Sequence, residues 1–453
     1  MTSLSSWLFL GLVVGALLDA FGVAHAGDAA IACLAIYIAL EVRAVAWPQL
    51  LIAAILMVAG LTAAASAPGE PAIVAVGQTL AKGLRAALPF LVLFAAVAWL
   101  TVPALESPSL RAARDTVASQ PPGWRFATLA LAAHLLGSVF NLVAVSLLAI
   151  LIDKQENPNT QRRLARALLQ GFATATAWSP LFVGTAVILA ILPEVRWVSI
   201  APYGVGLALM LLALAWWADR LLNPARAPLD APVVSLPPGA AYRLAGLVTM
   251  LLVGLIGLVE TTGFSIPIAL GLIAPPFALV WQGSHRPQAA AESISDLARK
   301  VVRGLADLRT ETLMFTAANT FSAGIALAIP AEKASAAITG LGLGSDGLVF
   351  ALAFALIGAS AIGIHPVIAV VMIGTVVPPE IFGMPLPLLA LFLMALWGMG
   401  TNVSPFSATN IIMGRAVGAN HWLIAWRWNL PFCLGGAAIV ACAVIGLRRL
   451  LAG

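Results

Sequence analysis

Two stretches of this chain repeat each other, and neither suits an ordinary membrane helix. FATATAWSPLFVGTAVI covers residues 172–188 and WGMGTNVSPFSATNIIM covers residues 397–413. Both lie in apolar runs, yet both carry small polar residues and a Ser-Pro pair. Thr176 precedes Ser179 by three positions, and Thr401 precedes Ser404 by three; the two Ser-Pro pairs stand 225 positions apart. Proline inside a helix removes a backbone donor and clashes with the turn before it. In lipid the groups so freed must find partners in the protein or line a wet cavity. A matched pair of broken helices, one in each half of a chain, points to the binding site of a secondary transporter.

The rest of the chain is built for a bilayer. Of its 453 residues 61% are hydrophobic and 9% charged, and the mean hydropathy is +1.00. Apolar runs of about 20 residues recur along its length, which predicts an all-α polytopic membrane protein with lipid as its surroundings. The net charge of +5 is small, and the basic residues fall between apolar runs. They report membrane topology, and no nucleic-acid partner is expected. Cys33, Cys433 and Cys442 have no metal-ligand spacing and read as small core residues. The first 26 residues contain a fair signal-peptide core, and Ala24-His25-Ala26 resembles a cleavage site. No Lys or Arg precedes that core and another apolar run follows at once, so a retained first helix is expected.

Runs and breakers predict about eleven transmembrane helices, at 5–22, 28–42, 48–66, 84–103, 163–193, 197–218, 241–259, 264–282, 309–330, 385–414 and 422–447. Residues 122–152 and 345–378 each hold two shorter apolar runs, broken by Gly137-Ser138 in one and by Gly363 and Pro366 in the other. They read as re-entrant hairpins. Asn141 begins the second arm of one and His365 that of the other, 224 positions apart, the same offset as Arg85 and Arg309. These landmarks divide the chain into repeat 1 (28–218) and repeat 2 (241–447), after an extra first helix (1–22) and joined by a Pro-rich linker (219–240). Each repeat holds five crossings, an odd number, so the second is inserted upside down. On this topology the Lys and Arg residues divide 18 to 6 between the two sides. That places the N-terminus in the cytoplasm and the C-terminus outside, in a bacterial inner membrane. Residues 285–307 read as an amphipathic helix on the surface.

Crossing count, hairpins and broken helices together resemble the Ion Transporter superfamily, and most of all the divalent-anion/sodium symporter family of dicarboxylate carriers. That family carries a Ser-Asn-Thr at each hairpin tip and a Thr-Pro or Pro-Pro in each broken helix. Here the first tip reads SVFNL from Ser138, so only Asn141 matches in place. The second reads GIHP from Gly363, with His365 where the Asn would be. Ser179-Pro180 and Ser404-Pro405 stand where the family has its Thr-Pro pairs. The resemblance implies an alternating-access carrier and a homodimer, with hairpins and broken helices moving against a fixed scaffold. It also implies a sodium ion near Asn141, Thr176 and Ser179. The tip triplets that would specify sodium and a dicarboxylate are mostly missing.

No soluble-enzyme signature, P-loop or CxxC occurs in the chain, and neither enzymatic activity nor a resident cofactor is expected. What remains is a set of neutral polar groups at hairpin tips and breaks. They are Ser138, Asn141, Thr174, Thr176, Ser179, Pro180, Ser360, His365, Thr401, Asn402, Ser404, Pro405, Thr409 and Asn410, with Thr185 and Ser407 beside them. Opened helices supply carbonyls for a cation and amides for an anion. Each Ser or Thr also reads as a packing residue bonded to its own helix. The leading expectation is transport of a small organic anion, a carboxylate, coupled to sodium or protons. The runner-up is a cation/proton or inorganic-anion antiporter, weakened by the absence of Asp at either tip. A membrane-embedded enzyme or lipid-handling protein would need a catalytic pair at one membrane face, and none is found. His365 reads in two ways. Its imidazole can titrate in the physiological range, or it can cap, uncharged, the arm that Pro366 starts. Glu311 is either a proton carrier or the ion-pair partner of a neighbouring Arg, and His134 is expected to be structural.

Overall fold

The computed structural model describes residues 4–121, 123–152, 157–223, 234–285 and 287–452, and no strand occurs among them. Residues 224–233 of the expected linker lie outside the described residues. In chain order the α-helices are α1 (Leu4–Ala20), α2 (Ala26–Glu41), α3 (Trp47–Ala65), α4 (Ala72–Glu106), α5 (Pro108–Ala118), α6 (Arg125–Phe140) and α7 (Leu142–Ala149). Then come α8 (Pro158–Thr174), α9 (Val183–Ile191), α10 (Trp197–Leu222), α11 (Pro238–Thr262), α12 (Ile266–His285), α13 (Ala290–Gly304), α14 (Arg309–Ala328) and α15 (Ala331–Thr339). The last are α16 (Gly344–Ala361), α17 (Pro366–Val376), α18 (Leu386–Val403), α19 (Ala408–Val417) and α20 (Leu430–Ala452), the last entered through a π-helical turn, Leu423–Asn429.

The protein is an all-α polytopic membrane protein. Among the described residues, 8 stretches are long and apolar enough to cross a bilayer unaided: α3, α4, α10, α11, α12, α16, α18 with α19, and the π turn with α20. Three details differ from the sequence reading. First, α16 has 18 residues and could span alone, although its sequence reads as half of a hairpin. The chain turns after it at Gly363, whose φ is 102°, where the sequence places the break. Second, α4 starts well before the expected crossing at 84–103 and runs through Pro89 and Pro103. Third, residues taken as loop form α5, with Pro108 in its first turn and the Ser107 hydroxyl accepting from Leu110 N at 3.4 Å.

The helices gather into two compact units that do not follow the two sequence halves; each draws segments from both. One comprises residues Met1–Pro103, Leu251–Leu341 and Val371–Pro378. In it α1 and α2 pack through Phe9, Leu12, Leu34 and Tyr37 against Leu91 and Val92 of α4. The Tyr37 hydroxyl reaches the carbonyls of Leu305 at 3.2 Å and Ala306 at 2.9 Å, pinning the bend between α13 and α14. α3 lies against α14 at glycines: a Cβ on Gly60 would sit 2.6 Å from Phe321 Cα. Small residues let membrane helices approach this closely. α13 buries Ser293, Leu297 and Val301 at intervals of four, as an amphipathic helix does. Arg309 bonds Glu41 at 3.0 Å and Asp307 at 2.8 Å, and its charge also acts on Glu311 without a direct bond.

The other unit comprises residues Ala104–Met250, Gly342–Val370 and Pro379–Gly453. Its axis is α18, buried along nearly its whole length and flanked by α8, α10, α16 and α20. α8 packs on α6, and its Arg163 forms a two-point ion pair with the buried Asp219 of α10, at 2.6–3.0 Å. Both Ser-Pro breaks and both tips, Asn141 and His365, belong to this unit.

Candidate functional site

The first break follows α8. Residues 175–177 tighten into a 3-10 turn, the backbone leaves helical form through Pro180, and α9 resumes at Val183. Polar side chains meet most of the groups this frees. The Ser179 hydroxyl donates to Ser138 O and accepts from Leu181 N at 3.2 Å. The Thr185 hydroxyl donates to Thr176 O at 2.9 Å. Asn141 turns the chain between α6 and α7, and its amide donates to Leu181 O at 3.0 Å while its oxygen accepts from Val183 N at 3.3 Å. Asn141 has φ 50° and ψ −131°, a conformation in which a side chain normally clashes. The two bonds to the break hold it there. Hairpin tip and broken helix are thus one hydrogen-bonded piece.

The second break separates α18 from α19. Ser407 caps α19 by accepting from Asn410 N at 3.3 Å, and its hydroxyl lies 3.1 Å from that of Thr409. The Asn410 amide donates to both Asn402 O and Ser404 O at 2.9 Å. Asn410 occupies the place of Thr185, 225 positions on. The two breaks therefore share one solution: a polar side chain from the first turn after the break reaches back to carbonyls before it.

The tips do not share one. At the second, Gly363 packs on Phe406, where a Cβ would come within 2.5 Å of the ring, and Gly400 lies beside Ser360 and Pro366. The His365 Nδ1 accepts from Val367 N at 3.2 Å, and the ring stands edge-on to Trp397 with centroids 6.0 Å apart. A backbone N–H can only donate, so Nδ1 is the bare nitrogen and the ring is a neutral cap on α17. Thr401 bonds back to Trp397 O at 2.8 Å. His134 is fixed by the same reasoning. The Trp178 indole donates to its Nε2 at 3.1 Å, so Nδ1 carries the proton and donates to Thr174 Oγ1 at 2.8 Å, which donates to Gly171 O at 2.7 Å. Thr176 Oγ1 donates to Ala173 O at 2.9 Å.

A small cavity opens between the broken helices, lined by Leu169, Phe172, Ala173, Phe182, Gly398, Thr401, Asn402 and Thr409. Of the residues singled out from sequence, Thr401, Asn402 and Thr409 face this cavity. Ser138, Asn141, Ser179 and Pro180 cluster at the first tip and break. Ser360 and His365 lie on the second tip, and Ser404, Pro405 and Asn410 at the second break. Gly398 lets α18 come down on Ala173 and Thr176 of the first break. On the broken helices and along α8, four buried side-chain atoms have no hydrogen-bond partner among the described residues: Asn410 Oδ1, Gln170 Oε1, Arg166 Nε and Arg162 Nε. Buried polar atoms are rarely left so unless a ligand, ion or water meets them. Gln170 sits 3.4 Å from Asn429 in the π turn, where Asn429 bonds Ile424 O five residues back at 3.1 Å. The sequence reading missed Arg166 and Gln170. The available signal was an arginine inside an expected crossing, which is a site marker in its own right, but it was counted with the loop charges.

No family model and no curated protein matches the sequence. Among solved structures the chain is similar to the crystal structure of the YdaH transporter of Alcanivorax borkumensis, which is described as having an unusual topology. The likeness has a TM-score of 0.51 at 16% identity and covers 83% of this chain and 89% of that one. At such identity it concerns the fold.

Proposed function

We propose that this protein is a secondary active transporter of a small organic anion, coupled to sodium or protons, working by alternating access across a bacterial inner membrane. The observation that carries the reading is the pair of broken helices around one cavity, each break closed by a side chain that a ligand could displace. Thr185, Ser179, Asn141 and Asn410 donate to carbonyls that would otherwise face an opened helix end. A coupling cation would take over such carbonyls, since a carbonyl oxygen accepts along two directions. An anion would meet the Asn402 amide and the guanidinium N–H at Arg166 Nε, which has no hydrogen-bond partner among the described residues. A transporter of similar fold supports the reading, as does the resemblance in layout to the Ion Transporter superfamily and its dicarboxylate carriers.

The test is uptake into proteoliposomes. Labelled acetate, succinate and citrate are offered with an inward sodium gradient, an inward proton gradient, or neither. Gradient-driven accumulation of at least one carboxylate is expected. Accumulation of phosphate or chloride alone would favour the inorganic-anion alternative. Absence of any driven flux in a preparation of intact, monodisperse protein would discard the carrier reading.

A further inference from the structure

One buried cation in the cavity-bearing unit has no direct ion pair among the described residues, and the carboxylate of Asp219 acts on it only through space. Arg166 is 9% exposed, its Nε is buried without a partner, and it makes no ion pair among the described residues. The nearby Asp219 directs both oxygens at Arg163, so its charge reaches Arg166 without a bond of the kind Arg163 has. Burying a guanidinium unpaired is costly, so its retention in an apolar membrane protein calls for a ligand. Its position says which. On α8 the residues three, four and seven beyond Arg166 are Leu169, Gln170 and Ala173, all on one helical face. Leu169 and Ala173 line the cavity, and Gln170 carries the unpartnered Oε1. Arg162, one turn the other way on the same face, repeats the unpartnered Nε. A row of unmet polar groups therefore runs along α8 to the broken helices.

We propose that Arg166, with Gln170 beside it, is a carboxylate-binding step at the approach to the broken-helix cavity, and that it selects anions. The inference rests on the anion reading above. Guanidinium suits the role because its planar donors match a carboxylate in two-point contact. Arg166 is a positioning and selecting group for the transported anion. The neighbouring Arg163, neutralised by Asp219, holds α8 to α10.

The experiment uses the full chain purified in detergent, with thermal unfolding as the readout. Sodium acetate, succinate and citrate are titrated against wild type, Arg166→Lys, Arg166→Gln and Arg166→Met. Dimethyl succinate and sodium chloride at matched ionic strength are the controls. At least one carboxylate should raise the wild-type Tm, while the neutral ester should not. Arg166→Gln and Arg166→Met should need about 10- to 100-fold more carboxylate for the same shift, and Arg166→Lys should fall between. Without carboxylate, Arg166→Met should be as stable as wild type or more so, because an unpaired buried charge has been replaced by an apolar chain. A purely structural arginine gives the opposite, a lower ligand-free Tm with an unchanged response. That result, an unchanged response in Arg166→Met, or no carboxylate response in wild type, overturns the proposal. Proteoliposome uptake by the same samples separates the two readings. Arg166-dependent binding without gradient-driven uptake removes the carrier and keeps the site; driven uptake undiminished in Arg166→Met removes the site and keeps the carrier.

Discussion

At the scale of single residues, the site is a set of side chains standing in for missing helix bonds. Ser179 is engaged twice, and its hydroxyl joins the first hairpin tip to the first break. Ser179→Ala leaves a buried carbonyl and a buried N–H unmet, at about 1–3 kcal/mol. We expect a lower unfolding temperature and a loss of transport larger than that of Ser404→Ala, compared at equal amounts of folded protein. Equal and wild-type transport in both mutants would remove the breaks from the mechanism. His365 argues differently, because its Nδ1 is committed to Val367 N and a doubly protonated ring could not accept that bond. His365→Asn keeps a capping acceptor at the same place. Transport by wild type and by His365→Asn should therefore follow the same pH profile from about pH 5 to 8. A titratable step present only in the wild type would restore a proton-carrying role to the ring.

At the scale of elements, two contacts decide whether the broken helices work together. Gly398 lets α18 rest on the carbonyl of Ala173 and on Thr176, and any Cβ there meets both. Gly398→Ala must push α18 away from α8 or strain it, which costs about 1–3 kcal/mol for overpacking. The variant should unfold earlier and transport poorly, whereas Gly246→Ala, where a Cβ meets nothing, should do neither. The hairpin formed by α6 and α7 makes a separate prediction. If it is re-entrant, Arg114→Cys and Asn159→Cys, on either side of it, label from the same face of the membrane in intact cells. Labelling from opposite faces would make it a crossing and undo the inverted repeat.

At the scale of the whole molecule, the two compact units cut across the two sequence halves. One carries both breaks, both tips and the cavity. The other holds α1–α3, most of α4 and the helices from α12 to α15. We expect a homodimer whose interface lies away from residues 172–188 and 397–413. Native mass spectrometry in mild detergent should find twice the chain mass of 46.8 kDa. A monomer at every protein concentration would refute it.

The sequence alone determined the class of the molecule and the positions of its breaks. Lipid forces backbone groups to pair within the chain, so apolar runs become helices and a Ser-Pro pair in such a run shows as a break. The pairing of Thr185 with Asn410 was also within reach, since both stand at one offset inside the repeated stretches. What needed tertiary structure were the choices made by contacts between distant segments. Gly363 and Pro366 mark the turn between α16 and α17 in the sequence, but the packing of α16 against α18 and α20 does not show there. The sequence leaves His365 open between charge and cap, and the Val367 bond favours the cap. Arg166 stands near the start of the expected crossing at 163–193, close to the loop arginines. Only the burial of α8, and the two-point pairing of Asp219 with Arg163, leave Arg166 without a direct ion pair among the described residues. Pairing between side chains on different helices depends on which faces meet, and periodicity within one helix does not carry that.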